Sequence, residues 1–226
     1  MPGRPLADAV GLWPMNSLGN KVFDLSGNGK TGTLQGNTHW VLGKFGPALH
    51  CSEAGTSISV PHFPFYEGIP AFSISLWAKS NTISLGEFLI SNAGGGDDTF
   101  EFYIHGGNDN LTFQVWNTLN ETASGFATDA ILGSDLDWHH FVGVFDSPDV
   151  MVYLDSVIGN IIGNLSGNSQ VTDNVLRIGY SSTNPVIISH VMIYNRALAA
   201  SEIALLYREP FCMFPENIMP EFGIVA

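Results

Sequence analysis

The sequence has 226 residues, of which 45% are apolar and only 13% are charged, and eight lysines and arginines leave a formal net charge of −13. A surface this acidic repels phosphate backbones and lacks the basic clusters that anionic membranes attract, which argues against nucleic-acid and membrane-surface binding. No apolar run approaches the ~18 residues of a membrane span, so we expect no membrane insertion.

The N-terminal segment MPGRPLADAVGLWPM contains no apolar core of the signal-peptide type. We therefore expect a protein that is made in the cytoplasm and enters no secretory route by itself. Cys51 and Cys212 are far apart in the sequence, and such a sparse pair does not indicate a disulfide framework. We expect both to be free thiols, because pairing requires the C-terminal segment to fold back to residue 51.

Short runs in which apolar and polar residues alternate fill the middle of the chain. In FSISLWAKS, Phe72, Ile74 and Leu76 share one face. Ser75 and Trp77 share the other face. Further runs of strand length, separated by turn signals rich in Gly, Asn, Asp and Ser, are FEFYIHG, LTFQVWN, HHFVGVFD, VMVYLDS, NVLRIGY and VIISHVMIYN. This pattern predicts many short antiparallel strands.

One stretch near the C-terminus, LAASEIALLYREP, has a helical pattern. Ser201 is the predicted N-cap and Pro210 the predicted stop. Many short strands followed by one terminal helix predict an all-β fold, which is an antiparallel two-sheet sandwich or jelly roll with one short C-terminal helix.

Six segments resemble the laminin-G-like, concanavalin A-like jelly-roll domains and occur in the order typical of that family. They are GLWPMNSLGNKVFDLSGNGKTGTL, FSISLWAKS, DWHHFVGVFD, VMVYLDSVIG, LRIGYSS and VMIYNRALAASEIALLY. The resemblance covers about residues 8–208, and it implies two packed antiparallel sheets and a non-catalytic binding or adhesive role toward glycans or protein partners. We therefore divide the chain into a jelly-roll domain, residues 1–208, and an extended apolar tail, residues 209–226.

The family resemblance raises the question of whether this chain binds calcium. Many family members hold calcium with an acidic cluster after the second strand and an acidic pair before the closing strand. In the first place this chain has Glu53 as the sole acid, and in the second it has Ser189 and His190. Calcium prefers six to eight oxygen ligands with several carboxylates. We predict no cofactor, and keep a structural calcium at Asp24, Asn28 or Glu53 as the alternative. In a glycine-rich turn such as DLSGNG, side chains like those of Asp24 and Asn28 mostly hydrogen-bond the backbone.

The acidic residues do not form the carboxylate pair that a glycoside hydrolase needs, about 5 Å apart for retaining and about 6.5 to 9.5 Å apart for inverting chemistry. In GDDTFEF, Asp97 and Glu101 share a strand face but are about 13 Å apart, at ~3.3 Å per residue. Asp97 and Asp98 point to opposite faces. We therefore predict no catalytic residues and no enzymatic activity.

Two adjacent histidines, His139 and His140, lie in the strand-length run HHFVGVFD. Neighbours on a strand project to opposite faces, so they do not bind one metal ion together. The family resemblance implies a buried structural role for His140.

Aromatic residues near polar loops indicate sugar binding as an alternative function. Flat rings stack on the apolar faces of sugars, although most aromatic residues of a sandwich belong to its core. Trp77 and Tyr180 are further candidate surface rings. The loop residues are either part of a sugar-binding rim or ordinary turn residues. The candidate glycan-binding residues are Asp97, Asp98, Tyr103, Asn108 and Trp116.

The tail is apolar and carries three prolines at intervals of five, Pro210, Pro215 and Pro220. Ordering its 18 residues costs ~18 to 36 kcal/mol of backbone entropy, and burying its large side chains returns ~12 to 24 kcal/mol. The tail therefore needs a receiving surface, either its own jelly roll or a neighbouring subunit. The predicted partner-binding residues are Phe211, Met213, Phe214, Ile218, Met219 and Phe222.

These features lead to one main functional prediction and one alternative. The main prediction is a non-catalytic subunit that builds or decorates a larger assembly, such as a phage or virus particle, through protein contacts in a homo-oligomer or a larger shell. The alternative is a lectin-like adhesion module for host or surface glycans.

Overall fold

Alternating apolar and polar residues build two antiparallel β-sheets. The computed structural model describes residues 8–16, 19–80, 88–92, 98–104, 110–128, 136–180 and 185–213. The strands within these ranges are β1 Gly11–Trp13, β2 Lys21–Val22, β3 Gly32–Gln35, β4 His39–Gly43, β5 Gly46–Cys51, β6 Ser57–Val60, β7 Ala71–Ser80, β8 Phe88–Ser91, β9 Phe100–Ile104, β10 Asn110–Trp116, β11 Thr122–Thr128, β12 His139–Asp146, β13 Asp149–Leu154, β14 Val157–Gly163, β15 Leu176–Ile178 and β16 Val186–Tyr194. A 3₁₀ turn spans Pro64–Tyr66, and helix α1 spans Ala200–Arg208.

The strands divide into two sheets of eight. Sheet 1 has the order β14-β13-β12-β7-β16-β5-β4, and β1 pairs with residues 191–193 of β16. Sheet 2 has the order β11-β10-β9-β8-β15-β6-β3-β2. Several neighbours are distant in sequence, since β15 lies between β6 and β8. The predicted antiparallel two-sheet jelly roll is confirmed.

Bulky apolar side chains fill the space between the sheets. Phe72, Ile74 and Leu76 of β7 are fully buried there, on the face that the sequence alternation predicts. Phe113 of β10 reaches them from sheet 2, and its ring centroid lies 5.8 Å from that of Phe72. Gly143 of β12 makes room for this ring, because an added Cβ would lie 2.6 Å from Phe113 Cγ. The core is therefore closely packed across the two sheets.

A second apolar cluster lies on the outer face of sheet 1, under α1 and residues 209–213. Ile203 and Leu206 of α1 are fully buried there, together with Val142 of β12 and Tyr194 of β16. The predicted helix is confirmed, and it ends at Arg208, shortly before Pro210. Among the described residues, no helix combines the length and the apolar character that crossing a membrane requires.

The N-cap prediction for this helix is wrong. Ala199 occupies the N-cap position, and Ser201 is already the second helical residue. The backbone N–H of Ala199 donates to a carboxylate oxygen of Glu202 at 2.8 Å, and Arg196 donates to both oxygens of that carboxylate. An acid three residues into the helix therefore satisfies the start of α1 where a serine was expected.

Candidate functional site

Asp24, the first calcium candidate, holds the turn after β2. Its two carboxylate oxygens accept backbone N–H bonds of 2.9 to 3.1 Å from Leu12, Ser26 and Lys30. Asn28 donates from Nδ2 to the carbonyl of Val10, and Glu53 lies exposed in a different turn. Within the described part of the chain, no group of three or more His, Cys, Asp or Glu side chains could hold a metal ion. Asp24 and Asn28 therefore serve the backbone of this turn.

Replacing Asp24 by alanine is expected to lower the free energy of unfolding by about 2 kcal/mol, because it removes a charged acceptor from three backbone donors. Asp24→Asn keeps one acceptor oxygen and should lose about half as much. Urea unfolding measures both variants. Millimolar calcium should leave the thermal midpoint of the wild type unchanged, and a rise that Asp24→Ala abolishes would show a metal site here.

A row of polar residues, called here the polar row, crosses all eight strands of sheet 2. Each member lies opposite the next in the strand register. Their strand neighbours, such as Ile58, Leu176 and Phe102, are fully buried in the core. Because residues alternate across a strand, the polar row lies on the outer face, where Ser91 is only 2% exposed. Its members are Lys21, Thr33, Ser59, Arg177, Ser91, Glu101, Gln114 and Ser124.

Three half-buried aromatic rings, called here the aromatic cluster, lie beside the polar row. The ring of Phe88 is 5.4 Å from that of Tyr103 and 6.1 Å from that of Tyr180. The guanidinium of Arg177 lies 5.3 Å from the centre of the Tyr180 ring, within cation–π distance. The backbone N–H of Phe88 donates to the carbonyl of Tyr180 at 3.2 Å, which joins the two residues across strands.

A cleft of about 290 Å³, called here the Arg177 cleft, opens at this place on the outer face. It offers two serine hydroxyls, an amide, a guanidinium and the ring of Tyr180. Of the described residues that line it, Arg177 carries a charge. The lining residues are Gln35, Gly55, Ser57, Ser59, Val175, Arg177 and Tyr180. Hydrogen-bonding groups around an aromatic surface are typical of small-molecule sites.

Glu101 is the acidic member of the polar row. Burial raises the pKa of its carboxyl group, and the nearby charge of Asp98 raises it further. Ser91 and Gln114 occupy the positions opposite Glu101 on the two neighbouring strands. Across the sheet this carboxylate is therefore flanked by hydrogen-bonding residues, and the acid near it is Asp98.

The structure brings part of the predicted glycan set onto this face. Tyr103 belongs to the aromatic cluster, and Trp116 lies half-buried on the same side of β10 as Gln114. Asp98 lies half-buried just before β9. Asp97 and Asn108 lie outside the described residues. Sequence reasoning missed Arg177, whose outward position follows from the alternation in LRIGY but whose cleft forms only when β6 and β15 pair.

The first residues of the tail pack on the chain's own domain. The ring of Phe211 lies 4.6 Å from that of His190 and 5.7 Å from that of Phe45, and Met213 is 5% exposed. These contacts favour the intramolecular alternative for Phe211 and Met213. Cys212, between them, is a free thiol, as is Cys51. The remaining predicted partner-binding residues, which lie outside the described residues, are Phe214, Ile218, Met219 and Phe222.

The paired histidines have structural positions. His140 is fully buried, as the family resemblance implies, and its ring stacks on that of Trp77 at 5.2 Å. His139 Nδ1 lies 2.7 Å from a carboxylate oxygen of Asp155. The two side chains therefore serve different surroundings and do not converge on one ion.

Solved structures of the same fold include binding domains of a mosquitocidal protein and of botulinum neurotoxins. The binding domain of Paraclostridial mosquitocidal protein 1 has a TM-score of 0.75 at 17% identity, and the match covers 90% of this chain and 52% of that chain. The serotype G neurotoxin binding domain has a TM-score of 0.72 at 17% identity, with 88% and 50% covered. This chain therefore spans about half the length of these structures. At such identities the likeness shows the fold alone.

The family is shown by a match to the sequence. The family model described as the concanavalin A-like lectin/glucanases superfamily matches residues 52–204. This range is more than half of the chain and runs from the end of β5 into α1. No curated protein matches the chain. The chain belongs to the concanavalin A-like lectin/glucanases superfamily.

Proposed function

We propose that this chain is a carbohydrate-binding module that takes its ligand on the outer face of sheet 2. The observation that carries the proposal is the polar row with the aromatic cluster beside it. Sugar rings present hydroxyl groups at their edges and apolar patches on their faces. Serine, glutamine and glutamate side chains can exchange hydrogen bonds with the edges, while Tyr103 and Tyr180 offer rings to the faces.

The comparisons support this proposal over the assembly role. The ligand-binding domain of botulinum neurotoxin serotype D, solved in complex with N-acetylneuraminic acid, has a TM-score of 0.72 at 14% identity and covers 89% of this chain and 51% of its own. The cell entry of botulinum neurotoxin type C depends on interaction with two ganglioside molecules, and the match to its structure covers 90% of this chain and 51% of that chain. These ligands belong to the longer proteins. For this chain they favour a glycan over a virion partner, and the role in a particle stays a prediction.

The neighbours of Glu101 along the polar row suit the binding of a sugar. Along the polar row, Glu101 has Ser91 and Gln114 on its two sides. A carboxylate between neutral hydrogen-bonding groups is suited to accept hydrogen bonds from sugar hydroxyls.

Tyr103→Ala and Tyr180→Ala should each weaken saccharide binding about tenfold, which corresponds to about 1.4 kcal/mol, because each removes a ring from the proposed stacking surface. A glycan array identifies the ligands, and isothermal titration calorimetry measures the affinities. Tyr207→Ala is the matched control, since Tyr207 lies on α1 over the opposite sheet. The proposal fails when the array shows no ligand, or when both variants keep the wild-type affinity.

A further inference from the structure

Two histidines face each other across the first two strands at the β4 edge of sheet 1. His39 of β4 and His50 of β5 are direct partners in the antiparallel register, so their side chains lie on the same face of the sheet. Leu49 and Cys51, on either side of His50, are buried in the core between the sheets. Because residues alternate across a strand, the two imidazoles therefore lie on the outer face of sheet 1, away from the proposed carbohydrate site.

The two facing ring nitrogens have the separation of two ligands of one metal ion. Nε2 of His39 lies 3.3 Å from Nδ1 of His50, and the ring centroids are 5.0 Å apart. This distance is longer than the ~2.7 to 3.2 Å of most N–H hydrogen bonds. Zinc binds histidine nitrogen at ~2.0 to 2.1 Å in tetrahedral geometry, which places two such nitrogens about 3.3 Å apart.

The surroundings of His39 leave the facing nitrogen of this ring free of a proton. Its other nitrogen, Nδ1, lies 2.9 Å from the backbone carbonyl oxygen of Asn37. A carbonyl oxygen only accepts hydrogen bonds, so Nδ1 carries the proton and donates it. In the neutral ring, Nε2 then presents its lone pair. A hydrogen bond from the second nitrogen to a backbone carbonyl is the usual support of a histidine that binds a metal.

His50 is able to take the complementary tautomer. Its Nε2 is buried and has no hydrogen-bond partner in the part of the chain that the structure describes, so no donor there holds the proton on Nδ1. Burial lowers the pKa of His50, and the neighbouring His39 lowers it further. The ring is therefore neutral near pH 7, which is the form that binds a metal.

The charges around the pair also suit a cation. The formal net charge of the chain is −13, which favours the approach of positive ions. Ile187 of β16 lies beside His50, and Lys79 of β7 lies beyond Ile187 in the same register. Two strand spacings separate the backbones of Lys79 and His50 by about 10 Å, a distance at which salt weakens repulsion.

We propose that His39 and His50 form a zinc site on the outer face of sheet 1, in which Nε2 of His39 and Nδ1 of His50 bind one ion. Zinc suits imidazole ligands, whereas calcium and magnesium prefer oxygen. The pair supplies two protein ligands, and water completes the coordination. The bound ion joins β4 to β5 and so stabilises the edge of the sheet.

Isothermal titration calorimetry of the full chain with zinc chloride, in metal-free buffer, tests the site. We expect one ion per chain, and no heat from calcium chloride at the same concentrations. His39→Gln and His50→Gln should each weaken binding at least tenfold, since each removes one of two ligands. His62→Gln is the matched control, because His62 is also partly exposed but contacts Glu67 elsewhere. Circular dichroism verifies that each variant is folded.

Two further measurements locate the ion. Zinc should raise the thermal midpoint of the wild type and not that of His39→Gln, because an ion that binds the folded chain stabilises it. In ¹⁵N-labelled protein, zinc should shift the resonances of His39 Nε2 and His50 Nδ1 more than those of the other ring nitrogens. The absence of zinc binding overturns the proposal, as does binding that both variants retain or that His62→Gln weakens equally. None of these outcomes affects the carbohydrate-binding proposal, which concerns sheet 2.

Discussion

Acidification from about pH 7 to about pH 4.5 is expected to remove about 5 kcal/mol from the free energy of unfolding, through two buried histidines. Burial lowers the pKa of His140 and of His190 to about 3. The ordinary histidine value is near 6.5. Between these values the unfolded chain binds protons that the folded chain excludes, so stability falls as the pH falls.

The surroundings of the two rings explain why the folded chain keeps them neutral. His140 Nε2 pairs with the hydroxyl group of Ser75 at 2.8 Å, and His190 Nδ1 pairs with that of Ser189 at 2.6 Å. The other nitrogen of each ring, Nδ1 of His140 and Nε2 of His190, is buried and has no hydrogen-bond partner among the described residues. A proton there would have neither water nor an acceptor, which makes the charged form costly.

Charged neighbours modify this cost without reversing it. The carboxylate of Asp155 raises the pKa of His140, whereas Lys44 lowers it, and His140 lowers that of His190. Asp155 itself has a lowered pKa, so its contribution is lost only at a lower pH than the histidine effect. Burial raises the pKa of Glu101. This carboxyl group therefore makes the folded chain more stable as the pH falls, which opposes the effect of the histidines. The stability lost through the two deeply buried imidazoles exceeds the stability gained through the one half-buried carboxyl group.

Urea unfolding at a series of pH values measures the effect. His140→Phe keeps a ring against Trp77, and His190→Asn suits the left-handed backbone at this position, where φ is 50°. Each variant should halve the loss in free energy of unfolding on acidification, which is a reduction of about 2 to 3 kcal/mol. His39→Gln, at an exposed position, is the control and should keep most of the loss. A wild type whose stability is constant between these pH values contradicts the prediction.

The fold was predictable because its signal is local. Alternation in FSISLWAKS assigned Phe72, Ile74 and Leu76 to the buried face, and the structure places them there. The start of α1 was not predictable from the presence of Ser201, because the carboxylate of Glu202, itself held by Arg196, satisfies the Ala199 N–H. Arg196 is six residues from Glu202, and the two side chains meet only when the turn before α1 is folded.

The candidate site was predictable only in part, since it depends on strand order. Tyr103 and Tyr180 stood out as rings on strand-length runs, but their approach through Phe88 requires β8 to lie between β9 and β15. Arg177 lies between Leu176 and Ile178 in sequence, and these apolar neighbours gave no sign of a ligand. The serines of β6 that complete its cleft are more than 100 residues earlier in the chain. Such pairing is set by the global packing of the two sheets.

Phe72→Ala is expected to lower the free energy of unfolding by about 3 to 5 kcal/mol, because Phe72 joins the two sheets. Its ring is fully buried. It lies 5.8 Å from the rings of Phe100 and Phe113 of sheet 2, and 5.7 Å from that of Phe145 of sheet 1. Truncation leaves a cavity between sheets whose backbones are fixed by hydrogen-bonded neighbours, so the space cannot readily collapse.

Two matched variants test whether the position or the residue type matters. Phe72→Leu refills most of the space and should cost about 1 kcal/mol, since volume-conserving changes are tolerated best. Phe23→Ala removes the same ring at a site that is 53% exposed and should cost less than about 0.5 kcal/mol. Urea unfolding ranks the three. Phe72→Leu should also keep the wild-type saccharide affinity, because the polar row and the aromatic cluster face away from this core. A Phe72→Ala loss no larger than that of Phe23→Ala would mean that the two sheets are held together by something other than their shared aromatic core.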